Sequence, residues 1–262
     1  MDFIHVEKRG SVWDVQLNRP QVHNAFHPQL IQELTDLFLE VKQDNELCMV
    51  KLSGRGSSFC AGADLAWMKS MADYSLDDNL RDSYKLFEMF WEMATCPVPL
   101  LAYAHGSVFG GALGLLAVCD IVGAEEETRF CLSEVKLGLV PAVISPFVNL
   151  KVLPGKVREW MLTARVFGTK EAQRSGLVQL RGNADEVQRG LLSVEKNILS
   201  NGPQAVRATK ALLLEVQGVL RLEAYKGQVA QVIAERRVSP EGQEGLKSFF
   251  EKRKPHWQKE SS

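Results

Sequence analysis

Short segments of alternating or helically spaced apolar residues follow one another along the chain and predict a mixed α/β architecture. Residues 3–6 and 12–17 alternate between apolar and polar positions on either side of a turn, which predicts a β-hairpin. Residues 28–43 carry apolar side chains at the spacing of one helical face. Residues 49–52 and 99–104 are short apolar runs and are predicted to be buried strands. Strands and helices therefore alternate in the first part of the chain.

The next segments continue this alternation and then change in character. The sequence SLDD at residues 75–78 has the spacing of a capping box and predicts the start of a helix. Residues 121–124 and 129–132 are predicted to form a further pair of strands, and helical patterns dominate the C-terminal part. These segments indicate one α/β domain, with a core of repeated strand-strand-helix units at residues 1–183 and a helical section at residues 184–262.

Composition and charge narrow the possible functions. The chain has 262 residues, 45% of them hydrophobic, and a formal net charge of −1 at pH 7. A balanced charge provides no electrostatic footprint for nucleic acid or for an acidic membrane surface. The five cysteines form no CxxC pair, the stretch MDFIHVEKRG lacks the apolar core of a signal peptide, and no apolar run approaches the length of a membrane span. We therefore expect a cytoplasmic protein with reduced cysteines, bound to neither nucleic acid nor membrane.

The stretch FGGALGLLAVCDI, at residues 109–121, contains glycine where a helix is expected to begin. Gly110 and Gly111 precede an apolar helical run and leave the backbone uncovered by side chains. The N–H groups at the start of a helix have no partner within it and carry partial positive charge, which suits a carbonyl oxygen that becomes an oxyanion. Close packing of the helix against a sheet is the alternative explanation for these glycines.

A second turn has the same character. The sequence SSFCAGADL, at residues 57–65, follows a predicted strand and places small residues before a helix start. Ala61, Gly62 and Ala63 expose their backbone N–H groups, and Asp64 is positioned to cap the helix. Alone this is an ordinary capped turn, but together the two turns supply a plausible pair of donors for one oxygen.

Five stretches of the chain occur in an order typical of one protein superfamily. They are LNRPQVHNAF, FCAGADL, GSVFGGALGLLAVCDI, FCLSEVKLGLVP and EGLKSFFEKRKPHW. On these stretches the chain resembles the crotonase, or enoyl-CoA hydratase/isomerase, superfamily over essentially its full length. Within it, AGADLAWMKSMADYS, FCLSEVKLGLVPAVISPFV and EKRKPHW look most like the bacterial methylglutaconyl-CoA hydratase-type branch. The resemblance implies a ClpP-like spiral of strand-strand-helix units with a helical C-terminal trimerisation section.

The resemblance also implies roles for individual residues. The two oxyanion-hole amides of the superfamily fall on Ala63 and Gly111, and its retained glutamate falls on Glu134, so these three form the implied catalytic set. Coenzyme A is expected only as part of the substrate, and neither a cofactor nor a metal site is expected. Contact with the substrate is implied for Val22, Ala61, Gly62, Asp64, Leu65, Gly110, Gly114, Pro141, Phe250 and Lys252.

One departure from the superfamily pattern changes the expected mechanism. The hydratases of the superfamily use two glutamates. One of them matches Glu134, but Gly114 occupies the position of the second. In addition, PAVISPF at residues 141–147 replaces a glycine-rich pattern that is usual in the superfamily. Proton transfer then depends on Glu134 alone, whose apolar neighbours would raise the pKa of its carboxyl group. Hydration or dehydration of an α,β-unsaturated acyl-CoA, of methylglutaconyl-CoA type, is the first interpretation. A double-bond isomerase and a non-catalytic acyl-CoA-binding homologue are the alternatives.

The C-terminal helices bear on assembly. Their apolar stripes exceed what one small domain needs to cover, and the superfamily uses this region for trimers, which implies a homotrimer or a homohexamer. Phe250 and Lys252 match positions that reach the coenzyme, often in a neighbouring subunit, whereas a solvated basic helix end is the alternative for this segment. The stripes contain Leu212, Leu213, Val216, Leu220 and Leu222.

Four further side chains are candidates for ligand contact. His105 directly precedes Gly106, and His23 lies in the stretch LNRPQVHNAF, but a structural histidine is the more common explanation for each. Lys69 and Tyr74 lie on a stretch that borders the acyl pocket in the superfamily. A lysine there has the charge to pair with a distal carboxylate of the substrate, although placement on the helix surface is the simpler interpretation.

Overall fold

Nine strands form two sheets within residues 1–258, the part of the chain that the computed structural model describes. They are β1 (Ile4–Arg9), β2 (Val12–Leu17), β3 (Met49–Gly54), β4 (Leu100–Ala104), β5 (Ser107–Phe109), β6 (Ile121–Glu125), β7 (Arg129–Cys131), β8 (Phe167–Gly168) and β9 (Leu180–Gly182). The larger sheet has the order β1-β2-β3-β4-β6-β9, and the smaller sheet has the order β5-β7-β8. The predicted hairpin forms the antiparallel edge of the larger sheet, whose other strands run parallel.

β6 and β7 do not pair with each other, so the strand pair expected from residues 121–124 and 129–132 is wrong. β6 lies between β4 and β9 in the larger sheet, and both of its edges are therefore occupied. β7 pairs with β5 and β8 instead, with Phe109 opposite Cys131 at the end of the β5–β7 ladder. The smaller sheet thus brings the ends of β5 and β7 side by side.

The first long helices begin where the sequence provides a cap. In α1 (Pro28–Gln43), the His27 side chain accepts a hydrogen bond from the Leu30 N–H at 3.3 Å. In α3 (Leu76–Ala94), the predicted capping box is present, and the Ser75 and Asp78 side chains each accept from the other's backbone N–H at 3.1 Å. These bonds satisfy N–H groups that a helix leaves free. Two short helices, α2 (Leu65–Ser70) and α4 (Ala112–Val118), start at the turns with small residues.

Seven helices follow within the described chain. They are α5 (Ser145–Lys151), α6 (Pro154–Thr163), α7 (Thr169–Arg174), α8 (Ala184–Leu199), α9 (Pro203–Val216), α10 (Lys226–Val238) and α11 (Pro240–Phe250). The helical stretch predicted from residue 184 is therefore interrupted, at Ser200, at Gly218 with its φ of +76°, and at Ser239. α8 packs on β6 and β9, and α10 packs along α3. The division into a core and a helical section stays a prediction.

The apolar core lies between the larger sheet and the helices packed on it. α4 contributes Leu113, Leu115 and Leu116, all of which are fully buried. α3 contributes Phe87 and Phe90, which are equally buried. α4 is buried along nearly its whole length, which explains why its sequence carries no charge, whereas α3 has a charged solvent-facing side. No helix within residues 1–258 combines the length and the hydropathy that a membrane crossing needs.

Candidate active site

The turn before α2 holds one free backbone N–H group. Gly62 has a φ of +96°, and a Cβ atom there would lie 3.0 Å from the carbonyl oxygen of Phe109. The Gly62 carbonyl accepts from the Phe26 N–H at 2.7 Å, and the Asp64 N–H donates to the Phe26 carbonyl at 2.7 Å. Because the groups on both sides of Ala63 face Phe26, the Ala63 N–H points away from it. This N–H has no hydrogen-bond partner within residues 1–258.

A second free N–H group lies at the start of α4. Gly110 has a φ of +53° and donates to the Cys131 carbonyl at 2.8 Å, which ties the end of β5 to β7. Gly111 then occupies the N-cap of α4, and its N–H has no partner in the described part of the chain. The helix dipole adds partial positive charge at this end. The Gly111 N–H is therefore available to a ligand.

The two turns touch each other beneath one carboxyl group. A Cβ atom at Gly110 would lie 4.0 Å from the Cα atom of Gly62 and 3.3 Å from Oε1 of Glu134. A side chain at Gly110 would enter the space between the turns and the carboxyl group, and one at Gly62 would crowd the backbone of the other turn at Phe109 and Gly110. The two glycines therefore allow the backbone of both turns and the Glu134 side chain to face one small volume.

Glu134 is a carboxyl group without a partner for one of its oxygens. It follows β7 and begins a short 3-10 turn, Glu134–Leu137. Its Oε2 is buried and has no hydrogen bond to the described residues. Burial raises the pKa of Glu134 to about 7, although its own backbone N–H offsets part of this effect. A carboxyl group that titrates near neutral pH accepts and returns protons readily, so Glu134 suits general acid–base chemistry.

A cavity of about 410 Å³ collects these groups. This volume falls in the range of roughly 300–1,000 Å³ that is typical of small-molecule sites. Glu134 is the one acidic side chain among the described residues that line it. The rest of the wall is mostly apolar and includes Trp67, Met71, Leu139, Val143, Ile233 and Phe249. An apolar wall of this kind suits an acyl chain, and Ala63 and Gly111, whose N–H groups have no partner among the described residues, line the same cavity.

Gly114 does not line this cavity. A Cβ atom at Gly114 would lie 2.6 Å from Cγ2 of Ile144 and 2.8 Å from two ring carbons of Phe90. The space that a carboxylate-bearing side chain would need is therefore filled by apolar groups from α3 and from the segment before α5. The altered stretch at residues 141–147 explains this filling, because it brings Ile144 against the helix. Glu134 thus has no second carboxylate opposite it in the described cavity wall.

A family model described as enoyl-CoA hydratase/isomerase matches residues 7–260. The chain belongs to this family. A Thermus thermophilus protein with the provisional name enoyl-CoA hydratase is 32% identical over 97% of this chain and 100% of its own length. A peroxisomal Delta(3,5)-Delta(2,4)-dienoyl-CoA isomerase of Arabidopsis thaliana is 30% identical over 99% of this chain and 97% of its own. The solved structure of an enoyl-CoA hydratase from Shewanella pealeana matches with a TM-score of 0.79 and 36% identity, over 97% and 96% of the two chains.

These similarities confirm the superfamily and the crotonase fold that the sequence motifs predicted. They do not extend to the methylglutaconyl-CoA branch, which stays a prediction. The cavity brings together eight of the residues that the family resemblance implied, and these are Ala61, Gly62, Ala63, Leu65, Gly110, Gly111, Glu134 and Pro141.

Asp64 lies outside the cavity wall and holds the turn in place. It caps α2 by accepting from the Ala66 N–H at 2.8 Å and the Trp67 N–H at 3.3 Å, and it pairs with Arg19 at 2.7 Å. Burial alone would raise the pKa of Asp64, but the Arg19 hydrogen bond and the two backbone bonds outweigh it and lower the pKa. A carboxylate that is committed to these partners supports the Ala63 turn from behind.

Three other implied substrate contacts also lie away from the cavity of their own chain. Val22 ends a 3-10 turn and is 36% exposed, and Lys252 is exposed with a φ of +53°. Phe250 is half-buried, while its neighbour Phe249 lines the cavity instead. The expected reach of Phe250 and Lys252 to a coenzyme in a neighbouring subunit stays a prediction.

The further candidates have mainly structural surroundings. His23 contacts the Ser58 hydroxyl at 3.2 Å, and His105 Nε2 lies 2.9 Å from the Gly56 carbonyl oxygen. Both bonds hold the loop that precedes the Ala63 turn. Lys69 is exposed on α2 and, like half-buried Tyr74, does not line the cavity. The surface placement considered for Lys69 is therefore the one observed.

Sequence reasoning missed the part of the wall that comes from α10 and α11. Ile233 and Arg237 of α10 line the cavity, as do Leu246 and Phe249 of α11. A signal was present, because Arg237 lies four residues after Ile233 and seven after Ala230, on the apolar face of its helix. A charged residue on an apolar helical face is a reason to look for a ligand.

Within residues 1–258, no cluster of His, Cys, Asp or Glu side chains has the geometry of a metal site.

Proposed function

We propose that this protein adds water across the Cα–Cβ double bond of an enoyl-CoA thioester, and catalyses the reverse dehydration. The observation that carries the proposal is the Glu134 carboxyl group, whose Oε2 lacks a partner, beside the free N–H groups of Ala63 and Gly111. The names of the hydratase relatives support the same reaction.

The two N–H groups act on the thioester carbonyl. The carbonyl oxygen sits between the Ala63 and Gly111 N–H groups, which polarise it and make the β-carbon electrophilic. When water attacks the β-carbon, charge moves to this oxygen and an enolate forms. Because both donors are fixed before the reaction, they stabilise the developing charge without rearrangement, and one such donor contributes about 3 kcal/mol in other enzymes.

Glu134 moves the proton in both halves of the reaction. As a carboxylate it accepts a proton from the attacking water, whose oxygen bonds to the β-carbon. The protonated carboxyl group then donates its proton to the α-carbon of the enolate, and the carboxylate is restored. One group serves as base and then as acid, which fits a pKa raised to about 7 by burial.

Double-bond isomerisation is the second candidate function. It requires one group that removes a proton from one carbon and returns it to another, and Glu134 is the one acidic side chain on the described cavity wall. The Arabidopsis relative is named as a dienoyl-CoA isomerase. Hydration passes through a β-hydroxy enolate and isomerisation through a dienolate, and the same oxyanion site would stabilise either one. Incorporation of water into the product therefore separates the two reactions.

The experiment that decides between them uses ¹⁸O-labelled water and a short enoyl-CoA substrate. Hydration places the label on the β-carbon of a 3-hydroxyacyl product, detected by mass spectrometry. A shifted double bond without label would overturn the hydratase proposal in favour of an isomerase. Tight binding of the thioester without any turnover would instead support the non-catalytic acyl-CoA-binding alternative.

We also propose a methylglutaconyl-CoA-like thioester as the substrate. The support is the likeness of AGADLAWMKSMADYS and FCLSEVKLGLVPAVISPFV to that branch of the superfamily. A panel of enoyl-CoA thioesters, ranked by kcat/KM, tests this choice. A straight-chain enoyl-CoA that outranks the methylglutaconyl ester by tenfold or more would overturn it.

Assembly into a homotrimer or a homohexamer is a further part of the proposal. Leu212, Val216 and Leu220, at the end of α9 and just beyond it, are 59%, 73% and 50% exposed, whereas Leu222 of the same predicted stripe is buried in its own chain. Exposed apolar side chains in one region are typical of a contact surface. Light scattering should detect a trimer or a hexamer, and Val216→Glu should weaken the association of the subunits. A monomeric wild-type protein at micromolar concentration would contradict this.

We place the protein in the cytoplasm, since its five cysteines are all unbridged. Cell fractionation tests this location, and recovery in an oxidising compartment would contradict it.

A further inference from the structure

Arg237 lines the cavity that holds Glu134, and its guanidinium Nε is buried. It lies on the apolar face of α10 and is only 9% exposed. Arginine is rarely buried to this degree unless a partner neutralises or hydrogen-bonds it. The hydrogen-bond and charge partners of the Arg237 guanidinium group therefore indicate its role.

The protein itself satisfies this guanidinium group incompletely. Nη1 of Arg237 donates to the Asn79 side-chain oxygen over 3.4 Å, a long hydrogen bond, and Nε is buried without a partner among residues 1–258. No salt bridge joins Arg237 to a carboxylate in this part of the chain. The adjacent Arg236 differs, because it bonds the Glu241 carboxylate at 2.6 Å and the Gly138 carbonyl at 3.1 Å.

Asp82 is the acidic group that acts on Arg237 most strongly. Burial raises the pKa of Asp82 despite the attraction of Arg237, and Oδ2 of Asp82 is also buried without a hydrogen bond. Burial lowers the pKa of Arg237 to about 10, against the pull of Asp82 and Tyr74, so the group is still charged at neutral pH. The two side chains thus attract each other without bonding. A buried charge left in this state is costly, and an anion bound in the cavity would remove that cost.

We propose that Arg237 binds a carboxylate at the far end of the acyl chain, so that the protein prefers monothioesters of dicarboxylic acids over fatty acyl thioesters of the same length. This inference rests on the proposed function, because it takes the cavity to hold the acyl group beside Glu134. A guanidinium group offers parallel N–H donors that match the two oxygens of a carboxylate. Lys136, the other cation on the wall, is exposed, and solvent screens its charge.

The first test compares glutaryl-CoA with pentanoyl-CoA by isothermal titration calorimetry. Both probes have five-carbon saturated acyl chains and differ only in a terminal carboxylate or methyl group, and neither can be hydrated. We expect glutaryl-CoA to bind the wild-type protein about 10- to 100-fold more tightly. Equal affinities would overturn the proposal. Since no turnover is needed, this result is independent of whether the protein is a hydratase.

The second test removes the charge. Arg237→Met should abolish the preference for glutaryl-CoA and change the affinity for pentanoyl-CoA by less than about threefold. Arg189→Met is the matched control, because it removes an exposed arginine of α8 that lies outside the cavity, and it should leave the preference intact.

A variant that does not fold is recognised by loss of pentanoyl-CoA binding as well. Arg237→Gln, which keeps a hydrogen-bond donor towards Asn79, then makes the same test. A glutaryl-CoA preference that survives loss of the charge at this position would mean that Asp82, rather than a ligand, is the partner of Arg237, and would overturn the proposal.

Discussion

Gly111, the N-cap of α4, and Gly114, within α4, lie about one helical turn apart, yet they have different surroundings. At Gly111 the backbone N–H is free, and the nearest atoms to an added Cβ are ring carbons of Phe26 at 3.3 and 3.5 Å. At Gly114 an added Cβ would lie within 2.8 Å of both Ile144 and Phe90. The first glycine therefore exposes a hydrogen-bond donor, while the second makes room for apolar side chains.

α4 therefore contributes to the candidate active site at its start and to the core in its next turn. The start of the helix, the Ala63 turn and Glu134 face the cavity together, and the following turn of the helix faces the core. Changes at the cavity-side turns should therefore alter turnover with little effect on stability, and changes on the core side should do the reverse. Four experiments test this separation.

The largest effect is expected for Glu134→Gln. The amide keeps the size of the side chain but cannot accept a proton from water, so turnover should fall by about 10²- to 10⁴-fold while thioester binding is retained. Steady-state kinetics and calorimetry measure the two quantities. Glu127→Gln is the control, since Glu127 is exposed and outside the cavity, and should be active. Near-normal turnover in Glu134→Gln would end the case for a single catalytic carboxylate.

The next effect is expected for Gly111→Pro. Proline removes the free N–H but tolerates the φ of −52° at this position, so kcat should fall by about 10²- to 10³-fold. Gly111→Ala retains the N–H and needs only a small shift of Phe26, and it should keep most activity. Circular dichroism confirms that both variants are folded. If the proline variant is folded and as active as the alanine variant, this N–H is not an oxyanion donor.

A smaller effect on kcat/KM is expected when the pH is changed. Because burial raises the pKa of Glu134 to about 7 and hydration needs the carboxylate, kcat/KM should decline about tenfold per pH unit below that value. The contribution of Glu134 to the free energy of unfolding changes with pH in the opposite direction to kcat/KM. The raised pKa favours the protonated folded state, so this contribution is full below the ordinary value of 4.5 and is lost as the pH rises through about 7. Glu134→Gln should lack this stability change, and an identical pH dependence of unfolding in both proteins would contradict it.

The smallest effect on activity is expected for Gly114→Ala. The added methyl group meets Ile144 and Phe90, and such overpacking costs about 1–3 kcal/mol of unfolding free energy. Chemical denaturation measures this loss, while kcat at a temperature where the variant is folded should stay close to wild type. Gly155→Ala serves as the control, because nothing lies within 4 Å of an added Cβ there. A large loss of kcat in Gly114→Ala without a loss of stability would contradict the assignment of Gly114 to the core.

Local motifs made one side of the site predictable. The turns at Ala63 and Gly111 and the caps at Ser75 and Asp64 depend on a few neighbouring residues, and all of them lie where the sequence placed them. Glu134 was predicted through the resemblance to the crotonase superfamily, and it lies on the cavity wall beside these turns.

Long-range pairing made the rest unpredictable. Which strand β7 joins depends on the edges that β5 and β6 leave open, and no short segment contains that information. Arg237 reaches the cavity only because α10 packs along α3, more than a hundred residues away in sequence. The filled space at Gly114 likewise depends on Ile144 and Phe90, which come from separate segments. Contacts between distant segments therefore determine the cavity lining and the packing at Gly114.

The place of α10 and α11 late in the chain has a consequence for protein synthesis. A nascent chain that has emerged only to residue 225 already contains both turns and Glu134. It lacks one wall of the cavity, which is formed by Ile233, Arg237, Leu246 and Phe249. On the ribosome, the groups proposed to act on a thioester are therefore complete before the space that encloses it, and the chain gains a closed binding site only when α10 and α11 dock.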